Sequence, residues 1–468
     1  MGEGMGRRRA IKDGTGKALK VSRECRLYIL GAALCVALTI CSRFFSDRGG
    51  AAFMVSLTLA CIAYLFAIRE FFRGQGIHSS PAVASIAKRG VGTTQELPRR
   101  VVIIGLLLAA AWHIAFLRLP PGPDDDIHRY VWDGRLQRLG YNPYLVIPSD
   151  PAVAGLHTSE TRNLNNPDLP SPYPPGAQLF FRAVTVIHES VFAFKVAFAA
   201  CELAIVLILL DLFKIARRQA HVVLAFAWNP LLAIEVAGSG HIDILGALLL
   251  VISVAALARR WRTAAAVTLG LAVAVKFLPI VLLPLYWKRV RVRDAAPGAG
   301  IVALLYLPFL HHGRISLGSL ATYVHSFRFN GPVFAILDHV APPQLLAALA
   351  ALAGFVIAIR LRRSMPDCTP DQLAWPMAAS LFCAPAVFPW YLLWLLPFLT
   401  SPSTLVLIVW SVSIIPTYLQ WHLRTLGHAW GALPVWIMLV EYGCVAVTAT
   451  VMLARRLVRT PAFNRQTD

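Results

Sequence analysis

Three consecutive carboxylates stand in "LPPGPDDDIHRYVWDGRLQRLGYNPY", residues 119–144 of the 468-residue chain. Asp124, Asp125 and Asp126 follow directly on the apolar run "VVIIGLLLAAAWHIAFLRLP". Each carboxylate would cost about 2.5–3.5 kcal/mol at the centre of a spanning helix. All three therefore lie in water or in a protein cavity at a membrane edge. Acids clustered there suit proton acceptance or ion binding; a solvated turn after "PPGP" is the plainer alternative. Further groups able to do chemistry are Arg129 and Tyr130, Tyr173 in "SPYPPGAQLF", Glu235, His241, Asp243, Lys276, Arg328 in "YVHSFRFNG", and Trp390 and Tyr391 in "FPWY". The mixture suits an anionic lipid headgroup that carries a sugar. Cations would meet phosphate, aromatic faces the sugar, and a carboxylate the proton of a hydroxyl. His241 and Asp243 have the spacing of a metal pair, but two ligands do not make a site. No metal or other cofactor is expected; a divalent ion is the alternative reading.

The elements that must position these residues are membrane helices. The chain is 57% hydrophobic and 15% charged, too apolar for a soluble globule, and several runs reach the ~18–20 residues of a span. The net charge of +20 does not point to nucleic acid, because the cations cluster in short connectors between apolar runs. The eight cysteines show no paired metal spacing; Cys35, Cys41, Cys61, Cys201, Cys383 and Cys444 lie in apolar runs and read as small buried hydrophobes, whereas Cys25 and Cys368 sit near basic connectors on the expected cytoplasmic side, so no disulfide framework is expected.

The cation rule places the basic segment 1–25 in the cytoplasm. An N-terminal helical pair with its connector follows over 26–100, with apolar runs at 26–44 and 51–68. Run 101–118 then exits and delivers the aspartates to the outer face. Residues 119–188 form the one large outer loop, in which Asp133 and Gly134 could close a turn and Arg135 and Arg138 could snorkel. Arg43 and Arg48 fall on that outer side, against the charge rule. Runs at 190–213, 219–237 and 242–258 continue the zigzag and return "GSGHID" (238–243) to the outer face. Residues 263–287 carry cations at both ends, so they read as a re-entrant or shallow pair bent near Lys276 and Pro279. Residues 373–399 have the same character, with Pro385 and Pro389 at the bend. Further runs lie near 297–311, 342–359, 402–419 and 431–453, and the tail 454–468 returns to the cytoplasm. The expectation is an all-α polytopic membrane protein of about 12–14 membrane segments.

The blocks "DDDIHRYVWDGRLQRLGYNPY", "NLNNPDLPSPYPPGAQLFF", "AWNPLLAIEVAGSGHID" and "CAPAVFPWYLLWLLPFL" resemble successive blocks of bacterial membrane glycosyltransferases of the GT-C fold. The group most similar is glycosyltransferase family 87, the polyprenyl-phosphate-mannose-dependent mannosyltransferases. The resemblance runs over about 101–453, which would be the catalytic domain. It implies transfer of a hexose, mannose in that family, from a polyprenyl phosphate to a glycan or glycolipid acceptor on the extracytoplasmic face of the cell membrane. The family pattern "DDxxRY" maps onto Asp125 and Asp126, with Asp124 an extra neighbour. The N-terminal helical pair departs from the simplest chains of that fold and is left without a role.

A phosphate leaves readily, so the chemistry needs a base on the acceptor hydroxyl and cations on the departing phosphate, with inversion at the anomeric carbon. Asp125 or Asp126 is the expected base. Arg129, Lys276 and Arg328 are the phosphate candidates, and Tyr130, Tyr173, Trp390 and Tyr391 the sugar or isoprenoid contacts. The rival class is a transporter or lipid-linked-sugar flippase, which would also place ionisable groups at broken helices.

Overall fold

The computed structural model describes residues 22–75, 97–122, 125–162, 164–364, 369–431 and 433–459. Asp124, most of the N-terminal basic segment, most of the connector before residue 97 and the tail beyond 459 lie outside the described residues. The described chain is mainly helical, and among the described residues the one sheet is a hairpin that pairs Leu310–His311 with Arg314–Ile315.

Long apolar helices dominate because a chain in lipid must satisfy its backbone polar groups within each segment. They are α1 (Arg23–Arg43), α2 (Ala51–Phe71), α3 (Arg99–Leu117) and, beyond the outer loop, α6 (Val191–Ile215). Two of these starts are fixed by serine caps: Ser22 accepts from the N–H of Cys25, and Ser190 from that of Ala193. Seven helices are long and apolar enough to cross a membrane, or eight if the bent pair Ala220–Ala227 and Leu232–Gly238 counts as one. The sequence count of 12–14 segments also took in shorter ones. Ile29, Val36, Val55, Leu107 and Leu203 stay exposed on the helix flanks, an apolar surface that lipid covers. The chain is a multi-pass, all-α membrane protein.

Ion pairs tie connectors that are distant in sequence. Arg26 meets Glu70 at 3.0 Å, Arg100 meets Glu24 at 2.6 Å, and Arg218 meets Asp371 at 3.7 Å. Just before the segment 263–287 Arg259 pairs with Asp211, and at its end the carbonyl of Trp287 accepts from Arg362. Its first part, α8 (Arg262–Val275), packs between α7 (Asp243–Ala258) and α9 (Val292–Tyr306). Its 14 residues rise about 21 Å, short of a ~30 Å hydrocarbon core. It ends in extended backbone at Lys276, and Pro279 opens a 3-10 turn. A proline there has no N–H for the next helical bond and its ring meets the carbonyl four residues back.

The run 219–237 also breaks. Its two halves bend by 67° around Asn229 and Pro230. The Asn229 side chain accepts from the N–H of Leu231 and donates to Ser411 Oγ at 2.9 Å, so the exposed backbone is satisfied. The second half is a π-helix, Leu232–Gly238. That short, wide turn carries Glu235 and leads on to His241.

The outer loop is a folded unit. Its helices α4 (Ile127–Arg138) and α5 (Pro175–Ile187) pack together, and Trp132, Leu136 and Leu164 make a separate small core. Asp133 and Gly134 lie inside α4 rather than in a turn, and Arg135 and Arg138 both pair with Glu189 rather than snorkelling. The sequence misleads here because α4 is amphipathic in an unusual way: its buried face carries Arg129, Asp133 and Gln137.

Arg48 fastens this unit to the N-terminal hairpin. Its Nη2 lies 2.9 Å from Asp125 Oδ1, its Nη1 donates to Ser239 Oγ at 2.7 Å, and Phe45 and Trp421 cover the guanidinium. Both charges are almost fully buried. Removing one partner of a buried pair costs about 3–5 kcal/mol, because the other charge is left uncompensated. Arg48→Met is expected to lower the thermal unfolding midpoint in detergent sharply. The double change Arg48→Met with Asp125→Leu should recover part of that loss. An equal loss in both would show that the pair is not what holds the hairpin.

Candidate active site

Asp126 stands at the N-cap position of α4 in helical backbone, but its side chain does not cap the helix. Its carboxylate instead borders a cavity of about 480 Å³, within the ~300–1,000 Å³ usual for small-molecule sites. Asn165 Nδ2 donates to Asp126 Oδ1 at 2.6 Å. The loop bearing Asn165 is held by Arg129, whose guanidinium donates to the carbonyls of Asn165, Asn166 and Leu169 at 2.7–3.1 Å. Arg129 borders the cavity but is 3% exposed. Its donors hold backbone, so it acts on Asp126 through Asn165.

Asp125 faces away from this cavity. Besides Arg48 it accepts from the N–H of Gly122 at 2.7 Å. The two adjacent aspartates thus have different surroundings: one is enclosed with a cation and the other looks into open space.

Lys276 stands where α8 breaks. Its Nζ lies 2.7 Å from Asp243 Oδ1 and 3.8 Å from the centroid of the Tyr391 ring. Trp394 Nε1 donates to the same Asp243 oxygen at 2.6 Å. Gly246 makes that approach possible, since a Cβ there would stand 1.8 Å from the Trp394 indole. Lys276 keeps a quarter of its side chain exposed to the cavity, while Asp243 is enclosed.

The aromatic candidates divide. Tyr173, Trp390 and Tyr391 border the cavity. Tyr130 does not: it is enclosed in the outer unit, stacked on Phe181 with centroids 4.5 Å apart. Burial and the Asp126 carboxylate push the Tyr173 phenol well above its ordinary pKa, so it stays a donor. Trp390 stacks on His241 at 4.0 Å and on Phe388 at 4.5 Å. The hydroxyls of Tyr391 and Tyr323 meet.

His241 and Asp243 do not converge as a metal pair would. His241 faces Glu235 and Asp126, whereas Asp243 faces Lys276 and Trp394. Glu235 is buried behind His241 and receives the hydroxyl of Tyr418. Arg328 lies apart from the cavity, paired with Asp338 at 2.9 Å, which holds the Asp338 carboxyl below its ordinary pKa.

Sequence reasoning missed Asn165, Tyr323, Trp394 and Arg424, all of which border the cavity. Asn165 stood inside the quoted "NLNNPD" block and Tyr323 inside "YVHSFRFNG", but an amide and a phenol carry no charge signal. Part of the cavity lining is apolar: Leu278, Val281, Ala347, Ala350, Ala351 and Leu381. These residues come from the break after Lys276, from α10 (Pro343–Ser364) and from α11 (Asp371–Phe382).

Asp133 braces the outer unit from within. Its Oδ2 accepts from Ser171 Oγ and from Gln178 Nε2. Burial pushes its carboxyl up from 3.8 to about 6, against the pull of Arg129 and the two donors. An acid whose folded pKa is raised stabilises the fold least when ionised, so the outer unit loses stability as pH rises from about 4 through 6. Limited proteolysis of the loop in detergent should therefore speed up across that window. Asp133→Asn should flatten the dependence; an unchanged pH profile in that variant would assign it to another group.

Residues 41–290 match the model of the MptA_B family, described as Alpha-(1->6)-mannopyranosyltransferase, N-terminal domain. The matched stretch begins in α1 and takes in Arg48, all of α2 and the outer loop. Comparison with curated proteins gives no match. Among solved structures, the crystal structure of ArnT from Cupriavidus metallidurans bound to undecaprenyl phosphate superposes with a TM-score of 0.41 at 15% identity, covering 78% of this chain and 73% of that chain. The family match spans more than half of the chain and includes the residues around the cavity up to Lys276, and on that ground the chain belongs to the alpha-(1->6)-mannopyranosyltransferase family.

Proposed function

We propose that the chain transfers mannose from a polyprenyl-phosphate donor to a glycan or glycolipid acceptor, with Asp126 as general base and inversion at the anomeric carbon. One observation carries this reading: a single cavity is bordered by the Asp126 carboxylate, by Lys276 and aromatic rings, and by apolar side chains. The polar lining suits a phosphate-linked sugar and the apolar lining suits an isoprenoid chain. The acceptor hydroxyl attacks the anomeric carbon while its proton passes to Asp126. The bond from that carbon to the phosphate oxygen breaks, and the polyprenyl phosphate leaves with the electron pair. Lys276 is the cation for the departing phosphate, shared with Asp243. Tyr173 and Tyr391 offer rings to the sugar, and Trp390, stacked between His241 and Phe388, offers only its edge. The reading invokes no metal or other cofactor, and no nucleic acid.

By the cation rule the basic connectors and both termini belong in the cytoplasm, which would put the loop bearing Asp126 on the extracytoplasmic side of the cell membrane. The mannosyltransferase match favours catalysis over a transporter or flippase.

General-base catalysis is worth about 10²–10⁴-fold. Asp126→Asn should therefore lose nearly all transfer from a radiolabelled polyprenyl-phosphate mannose while still binding the donor. Full transfer in that variant would end the assignment of Asp126 as base.

Lys276→Met tests the phosphate contact separately. Loss of one charge-assisted contact of about 1.5–3 kcal/mol should raise the donor KM about tenfold or more, with membrane insertion intact. An unchanged donor KM would leave Lys276 as a structural partner of Asp243 only.

A further inference from the structure

His241 is a buried imidazole whose environment packing alone does not explain. It is 1% exposed. Its Nε2 lies 3.1 Å from Glu235 Oε2 and its Nδ1 lies 3.9 Å from Asp126 Oδ2. Neither ring nitrogen makes an aligned hydrogen bond, although buried polar groups are nearly always hydrogen-bonded. Glu235 is equally buried and is held from its other side by the Tyr418 hydroxyl. The plane of the imidazole is fixed by Trp390, which stacks on it within 7° of parallel. Glu235 sits on the π-helix and His241 three residues beyond it, with Gly240 at a φ of +76° between them. A run therefore starts at Tyr418, passes through Glu235 and His241, and ends at the base.

The two oxygens of Asp126 face different groups. Oδ1 takes the N–H of Asn165 at 2.6 Å, and Oδ2 looks toward His241. A carboxylate has about four lone-pair sites, so both contacts leave room for an acceptor hydroxyl. A separation of 3.9 Å is longer than a hydrogen bond. Contacts of this kind in unliganded sites are often long and tighten when substrate fills the site.

We infer that His241, backed by Glu235 and Tyr418, is a positioning residue for Asp126: it closes onto Oδ2 in the loaded cavity and fixes the carboxylate against the acceptor hydroxyl. Glu235 holds the far side of the ring, and Trp390 prevents it from tilting. This rests on the reading of Asp126 as base and adds the group that aims it. His241 itself touches neither donor nor acceptor, which separates it from the substrate contact expected from the sequence.

The substitution His241→Phe separates positioning from packing, because Phe keeps a flat ring against Trp390 and removes both nitrogens. With full-length protein in detergent, radiolabelled polyprenyl-phosphate mannose and a short mannoside acceptor, kcat should fall about 10²-fold, the size expected when a reacting group is displaced by about 1 Å. Both KM values should stay within about twofold of the parent, the precision at which a kcat effect stands apart from a binding effect. The double variant Asp126→Asn, His241→Phe should fall no lower than Asp126→Asn alone, since both act through one carboxylate. Full kcat in His241→Phe, a loss confined to KM, or a double variant whose losses multiply would each overturn the inference while Asp126→Asn remained inactive. Full transfer by Asp126→Asn would instead remove the base, and the inference with it. If His241→Phe fails to insert, Glu235→Gln gives the same reading from the next link. It should lower kcat about tenfold without changing either KM, as a smaller misplacement of the same carboxylate would, and an unchanged kcat there overturns the proposal.

Discussion

The buried contact between Arg48 and Asp125 sets the geometry on which the site depends. A bilayer protein cannot leave either charge alone, so wherever Arg48 goes Asp125 must follow. Arg48 sits in the turn between α1 and α2, and Asp125 sits at the mouth of the outer loop. Their contact locks the start of α4 against the N-terminal hairpin. Ser239 joins the same guanidinium, and with it the turn that carries His241. Three distant parts of the chain thus share one cation, and Asp126 is the next residue along.

That arrangement resolves the problem of adjacent carboxylates. Two bare charges side by side would repel. Here one is neutralised by Arg48 and enclosed, so its neighbour can stand open without a competing free charge beside it. Asp126 borders the cavity because Asp125 is turned the other way: successive side chains at a helix start diverge, and one of the pair was bound to face inward. The N-terminal hairpin, which had no role in the sequence reading, acquires one as the source of the cation.

The apolar elements were legible because lipid imposes a single rule on them. Runs expected at 26–44, 51–68, 101–118, 190–213 and 242–258 appear as helices with ends within a few residues. The bend at Lys276 and Pro279 was legible from cations at both ends of a segment too short to cross twice. Arg48 was visible in the sequence only as an expected breach of the charge rule, and its buried partner Asp125 was not. The pairings themselves were not legible. Nothing local says that Lys276 meets Asp243, 33 residues away, or that Arg129 spends its donors on carbonyls at 165–169. Those contacts depend on how helices turn about their axes, which a chain with apolar residues on nearly every face does not encode. The distance between "DDDIHRY" and "GSGHID" in sequence likewise hides that Asp126 and His241 become neighbours.

The breaks in the helices explain why so many of these residues converge. Continuous helices satisfy their own backbone and present side chains only sideways. A helix that stops part-way leaves free backbone groups and an end at depth, which is tolerated only beside protein or water. Pro230, Pro279 and Pro389 each follow such a stop. The first yields the turn with Glu235 and His241, the second yields Lys276, and the third yields Trp390 and Tyr391. The second and third of these interruptions border one space together with Asp126, and the first stands behind it, with His241 stacked on Trp390. The polar lining of the cavity follows from where the helices fail to continue, and its apolar lining from where α10 and α11 do continue past it. A lipid-linked substrate needs both in one place, since its chain must stay in hydrocarbon while its reacting carbon meets a carboxylate.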